Sequence, residues 1–217
     1  MDTARFYKAK SKFYQMNAVR KKYILDLIPG NVSTVLDIGC GSGELASALK
    51  NRGINVIGVD ISEEALSEAK EFLLESFCFN LEAEKWPEEL IVQKFDLIIA
   101  SEVIEHLFDP SSFLRKIKKL LSSNGKIIIT TPNFLFWKNR LKMFLGKFGY
   151  EKEGLLDFGH IRFFTRQTLK DMVEKEGFKI EKEKNFYPNL YFRHMNWLGD
   201  ILPSLFAYQL IVLLSRK

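Results

Sequence analysis

Asp37, Gly39, Gly41, Gly43 and Asp60 are the residues whose types and spacing can do chemistry together. Four of them fall in Val35-Leu36-Asp37-Ile38-Gly39-Cys40-Gly41-Ser42-Gly43, an apolar run ending in an acid and passing into a loop with glycine at alternate positions. Glycine belongs where a chain must turn sharply and a ligand must approach the backbone closely, because a Cβ would block that approach. A second apolar run, Asn55 to Val59, ends in Asp60. That puts a carboxylate about 20 residues beyond the loop, where nucleotide-binding α/β folds use one to accept both ribose hydroxyls. The dinucleotide fingerprint G-x-G-x-x-G does not fit. The third glycine arrives one residue early, and Asp37 would repel a pyrophosphate. A carboxylate beside the loop instead suits an ammonium group.

These groups meet only if strands end side by side, and the rest of the chain supplies such strands. Thr34 to Ile38 reads as a buried strand, Glu44 to Lys50 as the helix opened by the glycine loop, and Asn55 to Val59 as the second strand. Ser62 is an N-cap for a helix predicted over Glu63 to Glu75, followed by a short strand, Phe77 to Asn80. Phe95 to Ala100 is an uninterrupted apolar run, as strands buried on both faces should be. Asp109-Pro110 opens a helix over Ser111 to Leu121, with proline at the first helical position. Asn124-Gly125 closes it, and Lys126 to Thr131 is the fifth strand. Thr165 caps Arg166 to Glu176, Gly177 ends that helix, and Phe178 to Glu183 is the sixth strand. The run Leu205 to Leu214 is too short for a spanning helix and reads as a seventh strand after Pro203. Alternating strands and helices signal a parallel sheet with crossover helices.

With strand, acid, glycines, helix, strand and acid in that order, the motif resembles the first signature of class I S-adenosylmethionine (SAM) methyltransferases, and Asp60-Ile61 resembles the second. The resemblance covers roughly Val32 to Gly177. It implies an α/β fold: a Rossmann-like seven-stranded sheet with the last strand antiparallel between strands five and six, helices on both faces, and a helical lid insertion over 132–164. It also implies SAM as cofactor and S-adenosylhomocysteine as product. Asp37, Gly39, Cys40, Gly41, Asp60 and Ile61 would hold it, Cys40 as a small residue that fits the loop rather than as a nucleophile. Asn80-Leu81 stands where the family usually has an acid touching the adenine amino group; here an amide oxygen would accept that bond.

The segment Ser101-Glu102-Val103-Ile104-Glu105-His106-Leu107-Phe108-Asp109-Pro110 resembles one found in a subgroup that includes the ubiquinone-biosynthesis O-methyltransferases and related glycan- or lipid-pathway enzymes. There it lines the cofactor's methionine end, so Ser101 and Glu102 are expected as cofactor neighbours. His106 is either a general base or a histidine ordering the strand-to-helix turn. Asp157-Phe158-Gly159-His160-Ile161-Arg162-Phe163-Phe164-Thr165 is similar to an H-x-R-x-[FY]-T segment of the same relatives. His160 is a second candidate base, and Arg162 either meets an acidic or hydroxylated substrate or pins the lid by a salt bridge. Between these segments, Phe134, Trp137, Leu141, Phe144, Leu145 and Phe148 fall on one helical face, with Lys138, Arg140, Lys142 and Lys147 beside them and no acid from Asn133 to Tyr150. That face is expected to pack over the active site as a lid, with contact to a membrane interface through 134–148 as the alternative.

At 217 residues, 47% hydrophobic and 27% charged, the chain reads as one domain, 1–217, with a helical region over 1–30. Two cysteines, Cys40 and Cys78, give no framework of disulfides, and no signal-peptide pattern opens the sequence, so a cytoplasmic location is expected. The +5 net charge concentrates early: Arg5, Lys8, Lys10, Lys12, Arg20, Lys21 and Lys22 face Asp2 alone. This is read as the solvated side of a helix whose apolar side is Phe6, Phe13, Ala18 and Ile24; a phosphate-binding run is the alternative. No His or Cys spacing marks a metal site. The position after strand four lacks the Asn/Asp-Pro-Pro-aromatic motif that holds a flipped base, so nucleic acid is disfavoured as substrate. The expected activity is methyl transfer to an oxygen or nitrogen of a small-molecule, glycan or lipid-like acceptor. An RNA methyltransferase and a non-catalytic SAM-binding protein are the rival readings.

Overall fold

The computed structural model describes residues 16–151, 154–186 and 201–217. The elements in chain order are α1 (Ala18–Leu27), β1 (Thr34–Ile38), α2 (Glu44–Lys50), β2 (Asn55–Asp60), α3 (Glu63–Ala69), β3 (Glu75–Cys78), α4 (Glu88–Ile91), β4 (Phe95–Ser101), α5 (Pro110–Leu120), β5 (Leu121–Pro132), α6 (Trp137–Phe144), α7 (Arg166–Lys175), β6 (Phe178–Phe186), α8 (Pro203–Phe206) and β7 (Gln209–Arg216). Short 3-10 turns cover Lys70–Phe72 and Ile104–His106. One sheet has the strand order β3-β2-β1-β4-β5-β7-β6. All pairs are parallel except those of β7, which runs antiparallel to both β5 and β6.

The apolar runs make this sheet because both of its faces are covered. Leu36, Ile38, Ile98, Ile129, Leu210 and Val212 lie with Phe113, Leu114 and Ile117 of α5 and Leu169 and Val173 of α7. On the other face Val35, Ile99, Ile128, Ile211 and Leu213 lie with Ile24 and Leu27 of α1 and Leu45 and Leu49 of α2. Each such side chain contributes roughly 1.5–3 kcal/mol when fully buried, so the two layers together hold the carboxyl ends of β1, β2, β4 and β5 in one row. The expected caps are present: Ser62 Oγ accepts from Ala65 N, Asp109 from Ser112 N, and Thr165 from Thr168 N.

Several boundaries depart from the sequence reading. The helix expected over Glu63 to Glu75 ends at Ala69, and β3 runs from Glu75 to Cys78 rather than Phe77 to Asn80. The chain is drawn onto the sheet early, where Leu74 N donates to Val56 O at 2.8 Å. β5 begins directly at Leu121, because Gly125 lies against the Phe95 carbonyl, where a Cβ would stand 2.7 Å from that oxygen. β6 continues to Phe186. β7 starts at Gln209, and the residues before it form α8, with Pro203 at a first-turn position of the helix.

The basic residues up to Lys12, together with Phe6 and Phe13, lie outside the described residues. In α1 itself Ile24 is buried as expected, but Ala18 is exposed and Arg20 turns inward, only 4% exposed.

Candidate functional site

The crevice begins at the loop after β1. Gly39 N and Cys40 N both donate to Val59 O, at 2.7 and 3.1 Å, which ties the loop to the end of β2. Gly41 N donates to Asp60 Oδ2 and Ser62 N to Asp60 Oδ1, each at 2.9 Å. Gly41 and Gly43 have φ of 53° and 81°. A Cβ on Gly43 would strike Ala69, whereas one on Gly41 would meet nothing within 4 Å. The second glycine therefore opens onto free space at the mouth of the loop, room that a ligand can fill. Cys40 is buried against Gly58, and burial, Asp37 and Asp60 together push its thiol up, so it is an inert packing residue.

Asp37 is 3% exposed, and its Oδ2 has no hydrogen-bond partner. Burial first, and then the charge of Asp60, push its carboxyl up to about 7. An acid held this way lacks a cation, and an ammonium-bearing ligand would supply one. Asp37, Asp60 and the space at Gly41 thus fit SAM. Ile61 is half-buried, and its carbonyl accepts from Cys78 Sγ. Asn80 is exposed, with Oδ1 accepting from Glu82 N at 2.9 Å. That oxygen keeps a second lone pair for a ligand donor. Leu81 packs against the core and offers its carbonyl to Trp86 Nε1.

At the end of β4, Ser101 Oγ meets Thr130 Oγ1 at 3.0 Å. Among the described residues Glu102 is the non-glycine residue with positive φ, 57°. Such a backbone carries strain that its partners must over-determine. Thr130 Oγ1 donates to Glu102 Oε1 at 2.8 Å, Gln209 Nε2 donates to Oε2 at 2.8 Å, and Arg20 Nη1 stands 3.3 Å from Oε2. Sequence reasoning missed both Arg20 and Gln209. The inward turn of Arg20 from an otherwise basic helix is invisible to composition, and Gln209 sat inside what read as an apolar strand.

The two candidate bases come together. The His106 and His160 ring centroids are 4.9 Å apart. His106 Nδ1 lies 2.8 Å from Gly159 O, and His160 Nδ1 lies 3.2 Å from Leu155 O. A carbonyl only accepts, so each Nδ1 carries a hydrogen. The structure adds Glu105, which the sequence reading did not single out. It is 1% exposed, accepts from Thr131 Oγ1 at 3.2 Å and leaves Oε1 without a partner. Burial, then Glu102, pushes its carboxyl well above the ordinary range. Donor atoms of Glu105, His106 and His160 all lie within 4.8 Å of one another, a gathering of acid and imidazole that the chain spacing conceals.

Arg162 forms no salt bridge among the described residues. Its Nε and Nη2 donate to Phe108 O at 3.1 and 2.6 Å, while Ile161 N and Arg162 N both donate to Glu105 O. The loop is therefore pinned through carbonyls, beside the histidines. The insertion departs from expectation more sharply. Its ends are held together by the Asn133–Phe164 bridge, and α6 buries Asn139. Leu141, Phe144, Leu145 and Phe148 point outward, with Phe144 86% exposed. These four do not pack over the active site, whereas Phe134 and Trp137 of the same stripe are half-buried, Phe134 against Phe163 and Trp137 beside Phe136, which itself packs edge-on against Tyr208.

A seven-stranded sheet with β7 reversed, together with a glycine loop and two acids at the ends of β1 and β2, defines the SAM-dependent methyltransferase class. A profile described as a methyltransferase domain matches residues 10–183, and the chain belongs to that family. The ubiquinone biosynthesis O-methyltransferase of Coxiella burnetii is 36% identical over 171 residues, covering 76% of this chain and 71% of that protein. The enzyme of the same name from Nitrosomonas europaea is 34% identical over 125 residues, and the match spans about half of its length, 53%. Among solved structures, a SAM-dependent methyltransferase from Archaeoglobus fulgidus has a TM-score of 0.67 at 21% identity, covering 98% of this chain and 99% of that one. The magnesium protoporphyrin IX methyltransferase of Synechocystis, solved with bound S-adenosylhomocysteine, has a TM-score of 0.63 at 18% identity over 100% and 96% of the two chains. These two share the fold.

Proposed function

We propose that this protein transfers the methyl group of SAM to an oxygen of a small-molecule acceptor. The observation that carries the reading is the pairing of a cation-seeking crevice at Asp37 with two imidazoles held through Nδ1–H beside Glu105. When bound, SAM supplies a methyl group made electrophilic by its sulfonium. Asp37 would pair with the ammonium, Asp60 with the ribose hydroxyls, and Asn80 with the adenine amino group. Chain groups supply the rest mainly by holding acceptor, methyl and sulfur in line and excluding water. An acceptor hydroxyl held in line here would give up its proton to the imidazole of His106 or His160 as its oxygen takes the methyl group, leaving S-adenosylhomocysteine. The relatives named for ubiquinone biosynthesis O-methylation support oxygen over nitrogen.

A lipid-like acceptor reached at a membrane surface is the finer part of the proposal. Leu141, Phe144, Leu145 and Phe148 are exposed on one side of α6 and the turn after it, with Lys138, Arg140 and Lys147 exposed beside them. Apolar bulk flanked by cations suits the interface of an anionic bilayer. No helix among the described residues is long and apolar enough to cross a membrane.

The test is isotope transfer from methyl-labelled SAM into fractionated small-molecule and lipid extracts, comparing wild type with a His106→Ala, His160→Ala double variant. Label in an ether-linked product, lost in the variant while SAM still binds, supports the reading. Label appearing only in RNA, or no S-adenosylhomocysteine from any fraction, would overturn it.

A further inference from the structure

Unpaired buried acceptors cluster along the carboxyl edge of the sheet. Among the described residues they include Asp37 Oδ2, Glu105 Oε1 and Gln209 Oε1. The first suits the cofactor's ammonium, and the second belongs to the histidine cluster. Gln209 holds Glu102 through its Nε2, and nothing among the described residues engages its Oε1.

Gln209 is the first residue of β7 and 5% exposed. Because β7 runs antiparallel, its start lies opposite Pro132, where β5 ends. Side chains alternate along strands and align across them, so the registers put Gln209 on the same sheet face as Thr130 and Ser101. Through Ile99 that face is also the one carrying Asp37. One side of the sheet edge thus presents a polar row, Asp37, Ser101, Thr130 and Gln209, running from the cofactor loop toward the base of the insertion.

The amide cannot flip. Its Nε2 donates to Glu102 Oε2, and a carboxylate paired with Arg20 only accepts, so Oε1 is the oxygen turned away from Glu102. A buried acceptor without a partner disfavours the free protein, and a ligand that brings a donor removes that penalty. Between Asp37 and Gln209 the row is engaged within the protein: Ser101 and Thr130 bond one another, and Thr130 also serves Glu102.

We infer that Gln209 is a specificity-determining residue of the acceptor site. Its Oε1 takes a hydrogen bond from a second hydroxyl or N–H of the acceptor, so the enzyme favours acceptors carrying a donor besides the atom that is methylated. A site built around such a bond rejects the analogue lacking the donor, because the oxygen is then left buried and unpaired. Glu102 and Arg20 are positioning residues in this arrangement, since they hold the amide in the one orientation that works. The inference rests on the methyltransferase reading.

The experiment uses the full chain saturated with S-adenosylhomocysteine, with catechol and phenol as probes differing by one hydroxyl, and calorimetry or ligand-observed NMR as readout. Wild type should bind catechol at least about tenfold tighter than phenol. Gln209→Met, which keeps the length but has no oxygen, should bind the two equally while its affinity for S-adenosylhomocysteine is unchanged. Gln209→Asn retracts the amide by one methylene and should give the same result, which covers the case in which the methionine variant does not fold. Discrimination that survives both variants would overturn the inference, as would equal or absent binding of the two probes by wild type. Loss of S-adenosylhomocysteine binding in the variants would also overturn it, since Gln209 would then serve the cofactor. Wild type that binds no S-adenosylhomocysteine would instead sink the methyltransferase reading on which the inference stands.

Discussion

The affinity for SAM should fall as the solution is acidified, and Asp37 sets where. In the free protein its carboxyl is pushed up to about 7, by burial and then by Asp60. An ammonium can pair only with the ionised form. With half the molecules protonated at pH 7 and all but about one in a hundred at pH 5, binding should weaken roughly 50-fold over those two units, ~2.3 kcal/mol. Linkage gives the companion sign. Between the ordinary carboxyl value of 3.8 and 7 the folded chain keeps a proton that the unfolded chain has released. The ligand-free protein therefore loses stability as pH rises through that window, and saturating SAM offsets the loss. Calorimetric titration of SAM at half-unit steps from pH 5 to 7 measures the slope, with Asp37→Asn as control. The variant should bind weakly and without that slope. A wild-type affinity flat across the range, or the same slope in the variant, would refute the assignment of Asp37 as the cation partner.

Asp60→Ala removes the acceptor that holds Gly41 N and Ser62 N, so SAM affinity should drop at least about tenfold by calorimetry, with little change in far-ultraviolet circular dichroism. Gly43→Ala meets both a left-handed backbone and Ala69, and should lose about 1–3 kcal/mol in urea unfolding. Asp96 collects donors from the backbone and hydroxyls of Ser33 and Thr34. Burial raises its carboxyl, but those bonds outweigh it and hold it below the ordinary value, so its contribution to stability is lost as pH falls through that depressed value. In Asp96→Asn the acid limb of a thermal-melt series should be shallower. Phe144→Glu places a charge on the most exposed apolar ring of α6 and should abolish flotation with anionic phosphatidylglycerol vesicles while leaving SAM affinity unchanged; equal flotation would remove the membrane reading.

What the sequence made legible was local. The glycine loop, Asp37 and Asp60 are parts of short contiguous motifs, and the caps at Ser62, Asp109 and Thr165 bond within three residues of themselves. Helix ends blurred where the sheet competed for the chain, as at Leu74. The other half of the site was hidden because its bonds close over long separations: Gln209 reaches Glu102 across 107 positions, and His106 reaches Gly159 across 53. Glu105 lies in a 3-10 turn, where neither helical nor strand periodicity assigns a side chain to a face. The stripe on α6 was correctly read as amphipathic, but periodicity says that two sides differ, not which one meets protein. That choice fell to Phe136, whose partner Tyr208 lies elsewhere in the fold.

The excursion between β5 and α7 leaves and rejoins the body at one point, where Asn133 bridges Phe164 and Phe134 N donates to Phe164 O. Closing the two stems against each other makes the outer part of the intervening chain, ahead of the Gly159 to Arg162 stretch that bonds back to His106, Glu105 and Phe108, a cassette whose length and composition can change without moving the strands that end beneath it. Loops closed in this way lengthen at small entropic expense. Lineages built on this scaffold can thus exchange the cassette to reach new acceptors or surfaces while the nucleotide crevice is inherited intact.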